Sequence, residues 1–222
     1  IFRRRRLVGR RRRLGGLVMR ITPEQHQRVA DAIREAETKT RAEIVVVIAQ
    51  SSSTYADYWF GAAALVAMAT PLPLILFTQL SAQRIYLAQL LVFALLLAAF
   101  LYLPARVLLA PKAERAARAA RAANDQFVIR SVSRTRGRTG VLIYVSAAER
   151  CALVLPDVAV ADVVAQAAWR EAVDRLCAAA RRGDLIGGCV EAVAACGAAL
   201  AQEFPRRPED PADEIANEMF VV

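Results

Sequence analysis

Apolar residues along this chain follow three rhythms, and each predicts a different kind of element. The first is helical. Val29, Ile33 and Ala36 recur at i, i+4 and i+7, with Arg28, Asp31, Arg34 and Glu35 on the other side, the pattern of an amphipathic helix. Its start is written in Thr22-Pro23-Glu24-Gln25: a capping hydroxyl, a proline suited to the first turn, and a glutamine that completes a capping box. A broad apolar face predicts a second helix over residues 159–182, alanine content one over 112–130, and a further helix follows over 184–204. Gly183 after Arg181-Arg182 stops the helix over 159–182, and Asp184 caps the one over 184–204.

The second rhythm is an unbroken apolar run of about six residues. Ile44–Ala49, residues 141–146 (VLIYVS) and residues 151–155 (CALVL) read as strands covered on both faces. Four residues separate the second and third, a hairpin spacing. The opening strand therefore has to find its neighbours more than ninety residues later in the chain.

The third rhythm is longer. Residues 59–80 and 85–103 carry no charge, and each is about 20 residues, enough to cross a hydrocarbon core of about 30 Å. Tyr58, Trp59, Tyr86 and Tyr102 stand near their ends, where aromatic rings favour the interface. The linker SAQR (81–84) is short, so the spans form a tight antiparallel hairpin whose flanking halves lie on one side. Pro71 and Pro73 predict a kink within the first span. Arg84 is the one basic residue of the linker, whereas Arg106, Lys112, Arg115, Arg118 and Arg121 follow the second span. That bias places both flanking halves in the cytoplasm.

These patterns divide the chain as follows. Residues 19–56 and 111–205 together form one α/β domain. Residues 57–110 form a transmembrane hairpin, with spans at about 59–80 and 85–107. Residues 206–222, rich in proline and charge, form an extended tail, and residues 1–18 a basic, disordered extension.

Charge changes the picture little. The chain has a net charge of +9, but eight of its 30 basic residues lie in residues 1–18. The remaining 22 face 21 acidic residues, so the body of the protein lacks the basic excess of a nucleic-acid binder and no nucleic-acid partner is expected. Cys151, Cys177, Cys189 and Cys196 form no C-x-x-C pair, and His26 is the sole histidine. The cysteines read as small buried hydrophobes rather than zinc ligands.

Four stretches resemble one family: AEIVVVIA, the pair of spans, RTRGRTGVLIYVSAAER and EAVAACGAALAQEFPRRPED. Together they resemble the bacterial membrane-bound branch of the TPM domain family, over about residues 21–212. The resemblance implies a small α/β/α sandwich interrupted by the transmembrane hairpin. The family includes thylakoid-lumen proteins linked to photosystem II repair and an animal acetylcholine-receptor accessory protein, and acid phosphatase activity has been proposed for a plant member. Its common thread implies an accessory, assembly or quality-control factor that binds other membrane proteins. One departure stands out. Val158 and Ala159 follow Asp157 where the family usually has glycine, and a left-handed turn there would be strained.

Candidate chemistry is sparse. Asp157 and Asp162 are the candidate ligand or metal residues, and Arg134, Arg136 and Arg138 the candidate anion binders. With a divalent cation near Asp157 they would suit a phosphate-ester hydrolase. Asp157 also follows a strand, where α/β sheets place ligands. Against this, Asp157 suits a helix cap, the arginines suit a solvated loop, and Asp162 falls on a diverging helix face. GDLIGG (183–188) has no lysine or serine to cradle a phosphate and reads as a helix–helix turn. The sequence therefore favours a binding module in the bilayer, with no cofactor, over an enzyme.

Overall fold

A computed structural model describes residues 21–102, 107, 110–208, 210, 215 and 217–222. The basic stretch 1–18 and Arg106 lie outside the described residues. The chain divides into two units: one takes in 21–53 and 116–222, the other 54–115.

In the first unit, helix α1 (Pro23–Glu37) starts where the sequence places it. Thr22 accepts from the Gln25 amide at 3.3 Å, and Gln25 Oε1 accepts from the Thr22 amide at 2.9 Å. Its buried Val29, Ile33 and Ala36 face strand β1 (Ile44–Ala49), all six residues of which are buried. Strands β2 (Val141–Ser146) and β3 (Cys151–Pro156) form the expected hairpin, and β2 pairs with β1 in parallel, Ile44 opposite Val141.

The sheet holds a fourth strand that the sequence reading does not contain. β4 (Met219–Val221) pairs in parallel with Val46–Ile48, giving the order β3-β2-β1-β4. The tail read as simply extended thus returns to the sheet and completes it. Only three residues long, and preceded by proline and charge, it has too little apolar pattern to be read as a strand.

Helices lie on both faces of this mixed sheet. On one side α1, α7 (Gln166–Arg182) and α8 (Leu185–Glu203) pack against Ile44, Val46, Ile48, Ile143 and Val145. On the other, Ala119 and Ala123 of α5 (Lys112–Ile129) meet Val45, Val47, Leu142 and Tyr144. The helices are close because small residues let them be: a Cβ on Gly197 would sit 2.6 Å from Ala36 Cβ. Gly183, at φ +92°, ends α7 in the left-handed region that glycine enters without cost.

The helix expected over 159–182 is two. A single turn, α6 (Val158–Ala161), is separated from α7 by residues 162–165. β-Branched Val163 and Val164 fall in the break, and Val164 turns into the core; such side chains resist the helical continuation that alanine would allow. All four cysteines are free and buried.

The second unit is helical. Helix α2 (Ala56–Ala69) and α3 (Pro71–Phe77) meet at Thr70, and α4 (Ala82–Tyr102) packs against both. Pro71 lacks the donor that would continue the ladder, but Thr70 remains helical, its amide shared between Val66 O at 3.1 Å and Ala67 O at 3.2 Å. The turn between the spans is residues 78–81, three residues earlier than the sequence places it. Thr78 is extended, and the Arg84 and Ile85 amides already bond to Ser81 O. Ala63 and Ala67 are buried, and Trp59 Nε1 donates to Leu96 O at 2.8 Å.

Among the described residues, three helical stretches are long and apolar enough to cross a membrane: Ala56–Phe77, Ala82–Ala99 and Leu185–Glu203. They differ in what covers them. Half of the third is buried within the protein, against 11% and 0% of the first two. α8 is therefore a core helix, while the first two keep Leu65, Met68, Ile75, Phe77, Leu87 and Leu91 exposed.

Candidate functional site

The sequence points to Asp157, and the structure gives that residue a structural task. Its backbone is extended, at φ −72° and ψ 170°, and its side chain caps α6, accepting from the Val158 amide at 2.7 Å. Arg138 holds the same carboxylate from the other side, Nε to Oδ2 at 2.8 Å and Nη2 to Oδ1 at 3.0 Å. The carboxylate is 2% exposed and the guanidinium 53%. Hydrogen bonding to Asp157 and its charge raise the Arg138 pKa above its ordinary value. Both oxygens of Asp157 are thus engaged within the protein.

The other predicted residues do not join it. Asp162 is the exposed C-cap of α6, and Arg134 and Arg136 are exposed. Among the described residues no three His, Cys, Asp or Glu side chains come together to hold a metal ion. The strain expected at Val158 and Ala159 is absent, since neither has positive φ. The sheet also reverses the argument from strand ends. β3 runs antiparallel to β2, so Asp157 stands at the amino end of the parallel strands, opposite the end that α/β sheets use for ligands.

That carboxyl end carries a different cluster. Beyond β1 come Ser51, Ser52 and Ser53, while Ser146 ends β2 and Glu149 lies three residues past it. Glu149, 8% exposed, turns back under the serines. Its Oε1 accepts from the Ser52 amide at 2.9 Å and from Ser51 Oγ at 3.1 Å, and its Oε2 accepts from Ser146 Oγ. Ser52 Oγ donates to Ser146 Oγ at 2.9 Å and lies 3.0 Å from the Tyr144 hydroxyl. Arg118 Nη1 on α5 donates to Ser53 Oγ at 3.0 Å. Three hydroxyls in series, those of Tyr144, Ser52 and Ser146, therefore lead to one buried carboxylate.

The outer end of this chain opens into a cavity of about 310 Å³. Its polar lining includes Ser51, Ser52, Asp125, Gln126 and Tyr144, and Ala49, Ala122, Ile129 and Val222 supply apolar wall. Burial raises the Tyr144 pKa, the Ser52 contact opposes that, and the charges of Glu149 and Asp125 add to the rise. Tyr144 is a neutral phenol at physiological pH.

None of these residues stands out in the sequence as chemistry. Serine after a strand is ordinary loop composition, and Tyr144 sits inside an apolar run. The one available signal was position: Ser146 and Glu149 fall within the RTRGRTGVLIYVSAAER stretch, and SSS directly follows β1.

No family model and no curated protein matches this chain. Among solved structures, it is similar to the NMR structure of the BA42 protein from the psychrophilic bacterium Bizionia argentinensis, at a TM-score of 0.59 and 19% identity, over 93% of this chain and 99% of that one. At that identity the likeness concerns the fold alone: this chain shares with that protein an α/β arrangement of the kind described above.

Proposed function

We propose that this protein is a membrane-anchored α/β-domain protein, similar to the bacterial membrane-bound branch of the TPM domain family, that serves as an accessory, assembly or quality-control factor by binding other membrane proteins. The observation that carries this reading is the outward surface of the hairpin. Leu65, Met68, Ile75, Phe77 and Leu87 are all more than 60% exposed on helices of spanning length, a surface whose exposure to water would be costly and that lipid or a partner's spans would cover. In this reading the hairpin lies in the bacterial inner membrane. The basic residues after the second span, against one in the turn region, support a cytoplasmic α/β domain.

Photo-crosslinking from the hairpin of the full-length protein in native membranes tests this. Reproducible capture of a specific membrane protein is expected, and capture of none above background overturns it. A divalent-cation phosphatase at Asp157 has less support, because the carboxylate already caps α6 and pairs with Arg138. Phosphate-ester hydrolysis that requires a divalent cation and vanishes in Asp157→Asn would reinstate it.

A further inference from the structure

The hydrogen-bond directions at the carboxyl ends of β1 and β2 fix what the cavity offers a ligand. Glu149 is an acceptor at both oxygens, so Ser146 must donate to it. Ser146 Oγ then accepts from Ser52 Oγ, which commits the single hydrogen of Ser52. The Tyr144 hydroxyl must in turn donate to Ser52. Ser51 Oγ shares its hydrogen between Glu149 Oε1 and Ser53 O, the latter at 2.8 Å. The buried carboxylate thus draws the hydroxyl hydrogens of Ser51, Ser52, Ser146 and Tyr144 inward. What these hydroxyls leave for a ligand is lone pairs, beside the carboxylate of Asp125 on the same wall. Among the described residues Asp125 makes no ion pair, and its charge is felt at Tyr144.

Gln126 also lines the cavity, its Oε1 accepting from Arg130 Nε at 3.4 Å and its amide hydrogens being the donors of that wall. Acceptors still outnumber donors there, which favours a ligand that donates, and an exposed carboxylate favours a positive one. The space is far larger than a single ion, and one carboxylate is a poor set for calcium, which takes about 6–8 oxygen ligands. Ala49, Ala122, Ile129 and Val222 provide the apolar wall that a hydrocarbon stem would cover.

We propose that this cavity binds a primary ammonium group carried on an alkyl stem, with Asp125 as its counter-ion and Tyr144 and Ser51 as hydrogen-bond acceptors. Two sources share that chemistry: a free alkylamine or polyamine, and a lysine side chain of a protein partner. The proposal stands apart from the membrane-anchor reading, since all the residues it uses lie in the α/β unit.

Calorimetric titration of the full-length protein in detergent micelles with n-butylamine at neutral pH tests it, with butyrate beside it. Saturable binding of butylammonium and none of butyrate is expected. Asp125→Asn should weaken binding about tenfold, the effect of one charge-assisted hydrogen bond. Asp125 is exposed, so the variant should keep the wild-type unfolding midpoint. Tyr144→Phe, which keeps the ring and removes the acceptor, is a second variant expected to bind more weakly. No saturable binding, equal binding of butyrate, or unchanged affinity in both variants overturns the proposal. So does displacement of butylamine by equimolar calcium, which would make this a metal site. Comparison of spermidine with Nα-acetyl-lysinamide separates the sources: the tighter ligand identifies a free polyamine or a lysine side chain.

Discussion

Asp157 shows how one residue can resemble a catalytic group and be a cap. Its carboxylate closes the amino end of α6 and anchors Arg138, whose own backbone is left-handed at φ 52°. Asp157→Asn keeps a capping oxygen but loses the charge that Arg138 reads, whereas Asp157→Ala loses both. Asp157→Ala should destabilise the α/β unit by about 1 kcal/mol through the cap alone, and denaturant midpoints should rank it below Asp157→Asn. Tyr144 gives a pH-dependent counterpart. Its pKa is raised on folding, so its contribution is fully present below the ordinary tyrosine value of about 10 and is lost as pH climbs through the folded value. Urea midpoints measured across alkaline pH should therefore fall more steeply for wild type than for Tyr144→Phe. The serines beside it were not legible as a site. Their role depends on a glutamate three residues past another strand, and no local pattern joins residues 51–53 to residue 149.

At the scale of elements, propensity and pattern located most of what formed. The capping box at Thr22, the apolar runs of β1, β2 and β3 and the Gly183 stop all lie where the sequence expects them. Two elements escaped for different reasons. The break at 162–165 lies inside a helical periodicity, and the burial of Val164 decided it. β4 is too short to carry a rhythm, and exists because β1 offers it an edge: the Gln50 amide donates to Val222 O at 2.9 Å and the Val222 amide to Ile48 O at 3.0 Å. Close packing of α1 on α8 yields a sharp prediction. Gly197→Val would drive a branched side chain into Ala36. A destabilisation of about 1–3 kcal/mol follows from such overpacking, read as a lower thermal midpoint, while Gly61→Ala, where the space is open and the position helical, should not lower it.

At the scale of the molecule, composition alone does not sort apolar helices. Among the described residues three are long and apolar enough to span a bilayer, yet α8 is half buried, with Cys189, Ala192, Val193 and Cys196 in the core. Burial pushes the Cys189 and Cys196 thiols up to about 12, so at neutral pH neither is the thiolate that reacts. The consequence can be tested by removing the hairpin. Arg118 Nη1 reaches Ser53 Oγ, so a short flexible linker can replace residues 54–115. The shortened protein should partition into the aqueous phase and keep Cys189 and Cys196 unreactive to maleimide until denatured, while the full chain should resist extraction by alkaline carbonate. Retention of the shortened protein in the membrane would mean that α8 itself inserts.

The sequence by itself determined the local events: where α1 begins, where α7 stops, which runs are strands and which two stretches of membrane length carry no charge. Each depends on residues within a few positions of one another, so periodicity, caps and uncharged length record it. Only the tertiary structure decided the strand order, the fourth strand, the covering of α8 and the meeting of Ser51, Ser52, Tyr144, Ser146 and Glu149. Those outcomes depend on which surfaces exclude water together and on which polar groups then have to satisfy one another, across separations of more than ninety residues that no local pattern spans. The antiparallel turn of β3 placed Asp157 at the amino ends of the parallel strands, and the parallel pairing of β1 with β2 gathered the serines at the other.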